Sequence, residues 1–288
     1  MTRDTNQQFI EALTEAPLDK LVYHYTRFDT ALEQILTHRR LRMSPFSNVN
    51  DPRESSDWQF TPRDFGTRLG TRSVQRATLD KANDRLKRTW KVLALSTDDQ
   101  TAPPASRNVL DRGFARPRMW AHYGGNHTGA CLVFDRVEMI DEVGKQLAEL
   151  SDNQWYSEPV RYSNDVDSAA VTISGKAIAA AGDVDTALRE HQADQHVFLF
   201  FQKNRDWSTE YEYRFVAQRL RDPGYCFVDV ARSLVGVILG ERVSDVYGPS
   251  VDQAIGQAGV AAAQLTWRNG EPRIELPRWE RPKWYEHD

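Results

Sequence analysis

The chain has 288 residues, and 37 lysines and arginines against 41 aspartates and glutamates give a formal net charge of −4. Hydrophobic residues make up 40% and charged residues 27%, a balance typical of globular proteins that excludes fibrous, collagen-like and largely disordered chains. The mild acidity argues against attraction of the whole chain to nucleic acid and leaves room for a local basic patch.

The two cysteines, Cys131 and Cys226, each lie in an apolar stretch, so no disulfide framework is expected. The polar N-terminus lacks the apolar core of a signal peptide, and no apolar run approaches the roughly 18 residues of a membrane span. These features predict a cytoplasmic protein that does not bind a membrane.

The first predicted unit is a strand followed by a helix. Residues 21–26 are β-branched and aromatic, which predicts the strand. Apolar residues then recur with the spacing of one helix face, at Phe28, Leu32, Ile35 and Leu36. Because Thr30 and Glu33 match a capping box, we expect the helix to begin near Asp29.

The remaining elements follow from periodicity and turn signals. Strands are predicted at 41–43, 92–96, 130–134, 210–217, 225–230 and 234–239, with a hairpin of 265–267 and 274–276 around Asn269-Gly270. Helices are predicted within 63–91, 137–150, 185–204 and 243–258. The irregular mixture favours an α+β fold of mixed, mostly antiparallel sheets with flanking helices. No linker-like tract appears, so we expect a single domain over 1–288, with a helical insertion near 63–91 and a helical segment near 166–204.

One helix face of that insertion carries Arg68, Arg72 and Arg76 at successive i+4 steps. Asp64, Asp80 and Asp84 dilute their charge, and no aromatic residues interleave them. A solvated surface is therefore favoured over a nucleic-acid contact.

Two segments place polar groups beside aromatic ones. His24 and Thr26 share one face of the first strand, so both could reach a ligand, although a lone histidine in a strand is more often a core or edge residue. Trp120, His122 and Tyr123 run into a Gly-Gly turn. Such a segment can stack on a flat ring, or the tryptophan can simply belong to the core.

A third segment alternates charged and aromatic residues. Glu210, Glu212 and Arg214 fall on one face of the strand predicted at 210–217. Two carboxylates so placed repel each other unless a cation, a metal or a substrate lies between them. We therefore favour a site over a solvated edge strand.

A search for established catalytic motifs finds little. The chain lacks a Gly-rich phosphate loop, a CxxC pair, a His-Glu-x-x-His helix and a Gly-x-Ser-x-Gly elbow. His122 and His127 could join Glu210 or Glu212 around a metal ion, but their spacing is unspecific, and no metal is predicted.

Several motifs together resemble the bacterial domain-of-unknown-function family twenty-nine seventy-one. In order along residues 20–260 they are His24-Tyr25-Thr26, Asn50-Asp51-Pro52-Arg53-Glu54, Met119-Trp120-Ala121-His122-Tyr123, Gly129, Phe134-Asp135, Lys203, Trp207 to Arg214, and Val237-Ile238-Leu239-Gly240. The chain departs from the family where Leu93-Ala94-Leu95-Ser96 stands in place of a Cys-Phe-Ser type of sequence. The family name itself implies no activity.

A weaker resemblance links the same residues to ADP-ribosyltransferase-like enzymes, in which a His-Tyr-Glu set binds NAD. The resemblance implies that His24 bonds the nicotinamide ribose with support from Thr26, that Tyr123 stacks on nicotinamide, and that Glu212 holds the ribose 2′-hydroxyl. Glu210 would orient or deprotonate the acceptor, and the choice between the two glutamates stays open. Trp120 and His122 are alternative stacking groups, and Tyr25, Asn50 and Arg214 complete the expected NAD-binding residues.

Three functions follow as expectations. The first is an NAD-consuming ADP-ribosyltransferase-like enzyme, with NAD as substrate, that modifies protein or nucleic acid as a toxin or antiphage effector and has an antitoxin or immunity protein as partner. The second is a metal-dependent hydrolase or nuclease built from His24, His122, His127 and the two glutamates. The third is a non-catalytic nucleotide-binding module that uses the same pocket.

Overall fold

The computed structural model describes residues 3–66, 71–103, 106, 108–150, 154–220 and 224–281. The strands are β1 (Leu21–Thr26), β2 (Arg40–Pro45), β3 (Thr61–Arg63), β4 (Trp90–Thr97), β5 (Ala130–Asp135), β6 (Trp155–Pro159), β7 (Arg161–Tyr162), β8 (Thr172–Ser174), β9 (Gln202–Lys203), β10 (Glu212–Gln218), β11 (Cys226–Asp229), β12 (Leu234–Leu239), β13 (Ala261–Arg268) and β14 (Glu271–Glu275).

The α-helices are α1 (Arg3–Glu15), α2 (Pro52–Ser55), α3 (Arg72–Asp84), α4 (Pro117–His122), α5 (Arg136–Leu150), α6 (Gly175–Ala181), α7 (Val184–Asp194), α8 (His196–Phe200) and α9 (Gly248–Ala258). Wider π-type turns span Thr30–Leu36 and Arg85–Thr89. Short 3-10 helices span Phe46–Asn48, Val109–Asp111, Gly113–Ala115, Arg205–Glu210, Asp245–Tyr247 and Arg278–Glu280.

The main sheet has the strand order β11-β2-β4-β1-β5-β12-β13-β14, and β10 joins it by pairing with β4 and β6. Its pairs are antiparallel except for β12 with β13. Two small parallel pairs, β3 with β8 and β7 with β9, lie apart from it. The predicted mixed and mostly antiparallel architecture with flanking helices is therefore confirmed.

The sheet splits beside β4. β1 pairs with β4 at Ser96 and Thr97, and β2 pairs with the same edge at Lys91 and Val92. The opposite edge of β4 is filled by β10 along its whole length. Among the described residues, positions 93–95 of β4 have no strand partner on the first edge, so β1 and β2 diverge there and leave an opening.

Apolar side chains form cores on either side of this opening. One core includes Leu132, Phe134 and Phe215, and a second includes Trp90 and Phe200. A third surrounds Tyr23, Tyr25, Trp120 and Cys131 on the far side of β1. Both cysteines are buried and neither forms a disulfide bond, as predicted. Within the described ranges, no helix is long and apolar enough to cross a membrane.

Most predicted strands are confirmed, whereas several helices differ in detail. The helix near Asp29 forms, but Asp29 rather than Thr30 caps it, because the Asp29 carboxylate accepts from the Thr30 amide at 2.9 Å. The helix predicted over 185–204 ends at Asp194, and α8 and β9 follow it. No element was predicted at the polar N-terminus, where α1 forms and buries Phe9 and Leu13.

The predicted insertion is helical over α3 and the π-type turn that follows. Arg72 and Arg76 are exposed, and Arg76 faces Asp80 at 3.8 Å, which supports a solvated surface. Arg68 lies outside the described residues.

Candidate functional site

A cleft of about 680 Å³ occupies the opening between β1 and β2. Three segments far apart in the sequence contribute to it: the end of β1, the region after α4, and the start of β10. Of the residues predicted from the sequence, those that line it are His24, Tyr25, Thr26, Asn50, His122, Tyr123, Glu210, Glu212 and Arg214. Its volume lies within the range of about 300–1,000 Å³ that small-molecule sites occupy.

His24 bridges the opening. It is partly buried, and its Nδ1 lies 3.3 Å from the carbonyl oxygen of Ala94, in the stretch of β4 that has no strand partner. A carbonyl oxygen only accepts, so Nδ1 carries the proton of this bond and Nε2 remains available to accept from a ligand. Burial lowers the pKa of His24 despite this hydrogen bond, and the positive charge of Arg42 lowers it further. The ring is therefore neutral at pH 7.

Two aromatic residues predicted to bind a ligand serve the core instead. The Trp120 side chain is fully buried, its Nε1 donates to the Phe114 carbonyl at 2.8 Å, and it is not among the residues that line the cleft. Tyr25 borders the cleft, yet its ring packs edge-on against Trp120 and its hydroxyl donates to the Gly113 carbonyl at 2.5 Å. Alternation along β1 turns the Tyr25 ring to the opposite side of the strand from His24.

Tyr123 follows α4 directly and is partly buried in the cleft wall. Its hydroxyl donates to Oε1 of Glu210 at 2.9 Å. Burial raises the pKa of Tyr123, and the nearby charge of Glu210 raises it further, so the phenol stays protonated. His122 is exposed, with its ring 6.2 Å from that of Tyr123.

The backbone between the two glutamates is not the regular strand that the sequence predicted. Glu210 ends a 3-10 helix, Glu212 begins β10, and Tyr211 between them adopts a left-handed conformation with φ of 46°. The prediction that Glu210 belongs to the strand was therefore wrong. Positive φ is uncommon for a residue with a side chain, and such strain concentrates at functional sites.

Lys203 joins the two carboxylates. Its Nζ donates to Oε2 of Glu210 at 2.7 Å and to Oε2 of Glu212 at 3.0 Å. Burial acts to lower the pKa of Lys203, but the carboxylates of Glu212 and Glu54 outweigh it and raise the pKa, so the ammonium stays charged. This buried cation resolves the repulsion that the sequence pattern implied.

Arg214 completes the buried ionic cluster. Its guanidinium donates from Nε to Oε1 of Glu212 at 2.6 Å, and its Nη1 lies 2.5 Å from Oε1 of Glu54. Burial would raise the pKa of Glu212, but Arg214 and Lys203 lower it below the ordinary value. Burial raises the pKa of Glu54 in spite of Arg214. The cluster thus sets three carboxyl groups, those of Glu54, Glu210 and Glu212, against two cations.

Other residues in and around the cleft were not predicted as site residues. Arg116 holds the Glu210 backbone by donating to its carbonyl at 3.0 Å and to the Ser96 hydroxyl at 2.6 Å. Asp51 caps α2 through Oδ1, while its buried Oδ2 has no hydrogen-bond partner within the described part of the chain. The family motifs contained Lys203, Asp51 and Glu54, but nothing in their local patterns indicated that they would meet Glu212.

The residue set expected for a metal site does not come together. His127 stacks on Trp120 with a centroid distance of 6.3 Å and is not among the residues that line the cleft. Over the described ranges, no group of three or more His, Cys, Asp or Glu side chains is placed to share a metal ion.

Comparison with known proteins gives one match. No curated protein and no solved structure matches the chain significantly. Residues 119–215 match the model of a family described as a protein of unknown function, DUF2971. This segment carries Tyr123, Lys203, Glu210, Glu212 and Arg214, so the match supports the predicted family resemblance over the part of the chain that supplies most of the buried cluster.

Proposed function

We propose that this protein is an ADP-ribosyltransferase-like enzyme that cleaves NAD in the cleft between β1 and β2. The observation that carries the proposal is the convergence of His24, Tyr123, Glu210 and Glu212 on one cleft, with Tyr123 hydrogen-bonded to Glu210. The resemblance assigned these residues to NAD binding and catalysis, and they lie on β1, directly after α4, at the end of a 3-10 helix and at the start of β10.

The electrostatics of the cleft suit this reaction. When the bond between nicotinamide and ribose C1′ breaks, its electron pair leaves with nicotinamide and positive charge develops on the sugar. Fixed negative charge beside the sugar stabilises that state. The buried cluster sets three carboxyl groups against two cations, and ion pairs hold its geometry.

The two glutamates differ in their partners, and this separates their proposed roles. Glu212 accepts from both Arg214 and Lys203, so its charge is largely balanced. Glu210 accepts from the neutral Tyr123 hydroxyl on one oxygen and from Lys203 on the other. We assign Glu210 to the reacting ribose and to the proton of the attacking group, and we assign Glu212 to holding Lys203 and Arg214 in place.

The neutral His24 ring and the Thr26 hydroxyl would bind the ribose hydroxyls. Both side chains point from the same face of β1 into the cleft, and a neutral imidazole can accept through Nε2. The Tyr123 ring would pack against nicotinamide while its hydroxyl stays on Glu210.

The test is nicotinamide release from NAD by the purified protein, with and without cell lysate as a source of acceptor. We expect release by the wild type and a loss of at least about 100-fold in Glu210→Gln, the low end of what one acid-base group contributes. Glu138→Gln is the matched control, because Glu138 is exposed and forms an ion pair with the exposed Arg232. Absence of release by the wild type under both conditions would contradict the proposal.

Glu212→Gln should behave differently from Glu210→Gln. It leaves Arg214 with the Glu54 carboxylate and the Phe200 carbonyl as partners, so we expect lower activity together with a loss of about 3 kcal/mol in the free energy of unfolding. Urea unfolding of both variants checks this difference. Equal stability of the two variants would show that Glu212 has no anchoring role.

A further inference from the structure

The exposed face of the ribbon formed by β2 and β11 carries alternating arginines and aromatic rings. Arg40 and Arg42 of β2 are exposed, whereas Leu41 and Met43 between them are buried. On the neighbouring strand Phe227 is 49% exposed, and Tyr225 just before the strand is 45% exposed. Solvent exposure of two large aromatic side chains on one ribbon is a sign of a binding surface.

Each ring is paired with a guanidinium. Arg42 lies 4.3 Å from the centroid of Tyr225, and Arg40 lies 5.0 Å from that of Phe227. Neither arginine forms an ion pair with any carboxylate among the described residues. Asp229 lies opposite Arg40 in the strand register, but its carboxylate accepts from the Ala231 amide in the following turn. The ribbon therefore presents positive charge together with aromatic surface.

This face continues into the cleft. Arg40, Arg42 and Phe227 line the cleft itself. Tyr225 lies beyond it, and its hydroxyl accepts from Nδ2 of the lining residue Asn48 at 3.2 Å. A ligand that covers Tyr225 and Phe227 would therefore also reach the lining of the cleft.

We propose that the ribbon binds single-stranded nucleic acid and presents it to the cleft as the acceptor of ADP-ribose. Proteins that bind single strands combine a basic track for the phosphates with aromatic side chains on which bases stack. Tyr225 and Phe227 are two residues apart, roughly 6.6 Å along an extended strand, which is room for one base on each ring. One adenine of NAD would occupy a single ring, whereas two rings in a row suit a polymer.

This inference rests on the proposed NAD chemistry for the transfer step. A nitrogen or oxygen of the bound strand would form the new bond to ribose C1′ while the bond from C1′ to nicotinamide breaks. The electron pair would leave with nicotinamide, and the proton of the attacking group would pass to Glu210. Binding of the strand itself requires none of these steps.

The test measures fluorescence anisotropy of a labelled oligothymidylate of about twelve nucleotides, with nicotinamide release recorded on the same preparations. We expect Tyr225→Leu to weaken oligonucleotide binding about tenfold, as loss of one stacked base predicts, and to leave nicotinamide release without an acceptor unchanged. Arg42→Gln, also exposed, should weaken binding and reduce its dependence on salt. Tyr247→Leu is the matched control, because Tyr247 is 47% exposed and packs on Phe28 instead.

The outcomes separate the two proposals. Oligonucleotide binding that is lost in Tyr225→Leu but kept in Tyr247→Leu supports the ribbon site, even if no nicotinamide is released and the NAD proposal fails. Nicotinamide release without oligonucleotide binding, or transfer of ADP-ribose only to protein in lysate, overturns the nucleic-acid site and leaves the NAD proposal standing. Displacement of the oligonucleotide by AMP at equal potency in wild type and Tyr225→Leu would show a single-nucleotide site and overturn it as well.

Discussion

At the scale of single residues, the side chains of the cleft are held in defined protonation states by their neighbours. Tyr123 is kept protonated by burial and by Glu210, Lys203 is kept charged by its carboxylate partners, and His24 is kept neutral by burial. At pH 7 the Tyr123 hydroxyl and the Lys203 ammonium can therefore donate hydrogen bonds, while the neutral His24 ring can accept one. These states are what the proposed roles in NAD binding require.

Tyr123 has two proposed roles that substitution can separate. Tyr123→Phe keeps the ring and removes the hydroxyl that donates to Glu210 at 2.9 Å, so we expect NAD binding to be retained and nicotinamide release to fall about tenfold or more. Tyr123→Ala removes the ring as well and should also weaken NAD binding. Calorimetry measures the NAD affinity of the two variants, and the release assay measures their activity. Equal NAD affinity in the two variants would contradict stacking on this ring.

The lowered pKa of His24 gives a prediction about pH. In the folded protein the ring titrates below its ordinary value of about 6.5, so between the two values the unfolded chain binds the proton and the folded chain does not. The free energy of unfolding should therefore fall as pH drops through about 6.5, and His24→Gln should lack this component. NMR titration of the His24 ring measures its pKa directly, and a pKa at or above the ordinary value would contradict the burial argument.

At the scale of elements, the cleft exists because β1 and β2 share one edge of β4 without filling it. The loop between α4 and β5 closes its Tyr123 side, and close backbone contacts fix that loop. Gly129 donates its amide to the Gly124 carbonyl at 2.9 Å. A Cβ at Gly129 would lie 2.3 Å from the carbonyl oxygen of Thr26. Only glycine allows this approach of the loop to the end of β1.

Gly129→Ala should therefore disturb both the fold and the site. The contact is with backbone atoms that cannot rotate away, so we expect a loss of about 1–3 kcal/mol or more in the free energy of unfolding, with reduced nicotinamide release. Gly256→Ala is the control, because nothing lies within 4 Å of its added Cβ in α9, and it should gain up to about 1 kcal/mol. Thermal unfolding of the two variants measures this difference in stability. A Gly129→Ala protein as stable as the Gly256→Ala protein would show that the loop has room to move.

At the scale of the whole molecule, the sequence predicted the strands well, because their alternation is local. His24 and Thr26 were placed on the cleft face of β1 by that alternation alone. Trp120 belongs to the core and does not line the cleft. The sequence could not decide between these positions, because an aromatic residue before a Gly-Gly turn has the same local pattern in a core and in a site. Glu210 was predicted to belong to the strand, because the local pattern contains no signal for the left-handed conformation of Tyr211.

The buried cluster depends on long-range contacts that periodicity does not encode. Glu54 and Arg214 are far apart in the sequence, and their ion pair joins α2 to β10. The cleft lining combines the carboxylates of the buried cluster with the arginines of β2, and this combination also appears only in the folded chain. The net charge of −4 does not reveal it.

The most direct measurement of the central claim is an experimental structure of the Glu210→Gln protein crystallised with NAD. We expect intact NAD in the cleft, with nicotinamide against Tyr123, its ribose hydrogen-bonded by His24 and beside residue 210, and Lys203 and Arg214 still on Glu212. NAD bound elsewhere on the molecule, or a cleft that stays without NAD at saturating concentration, would contradict the account.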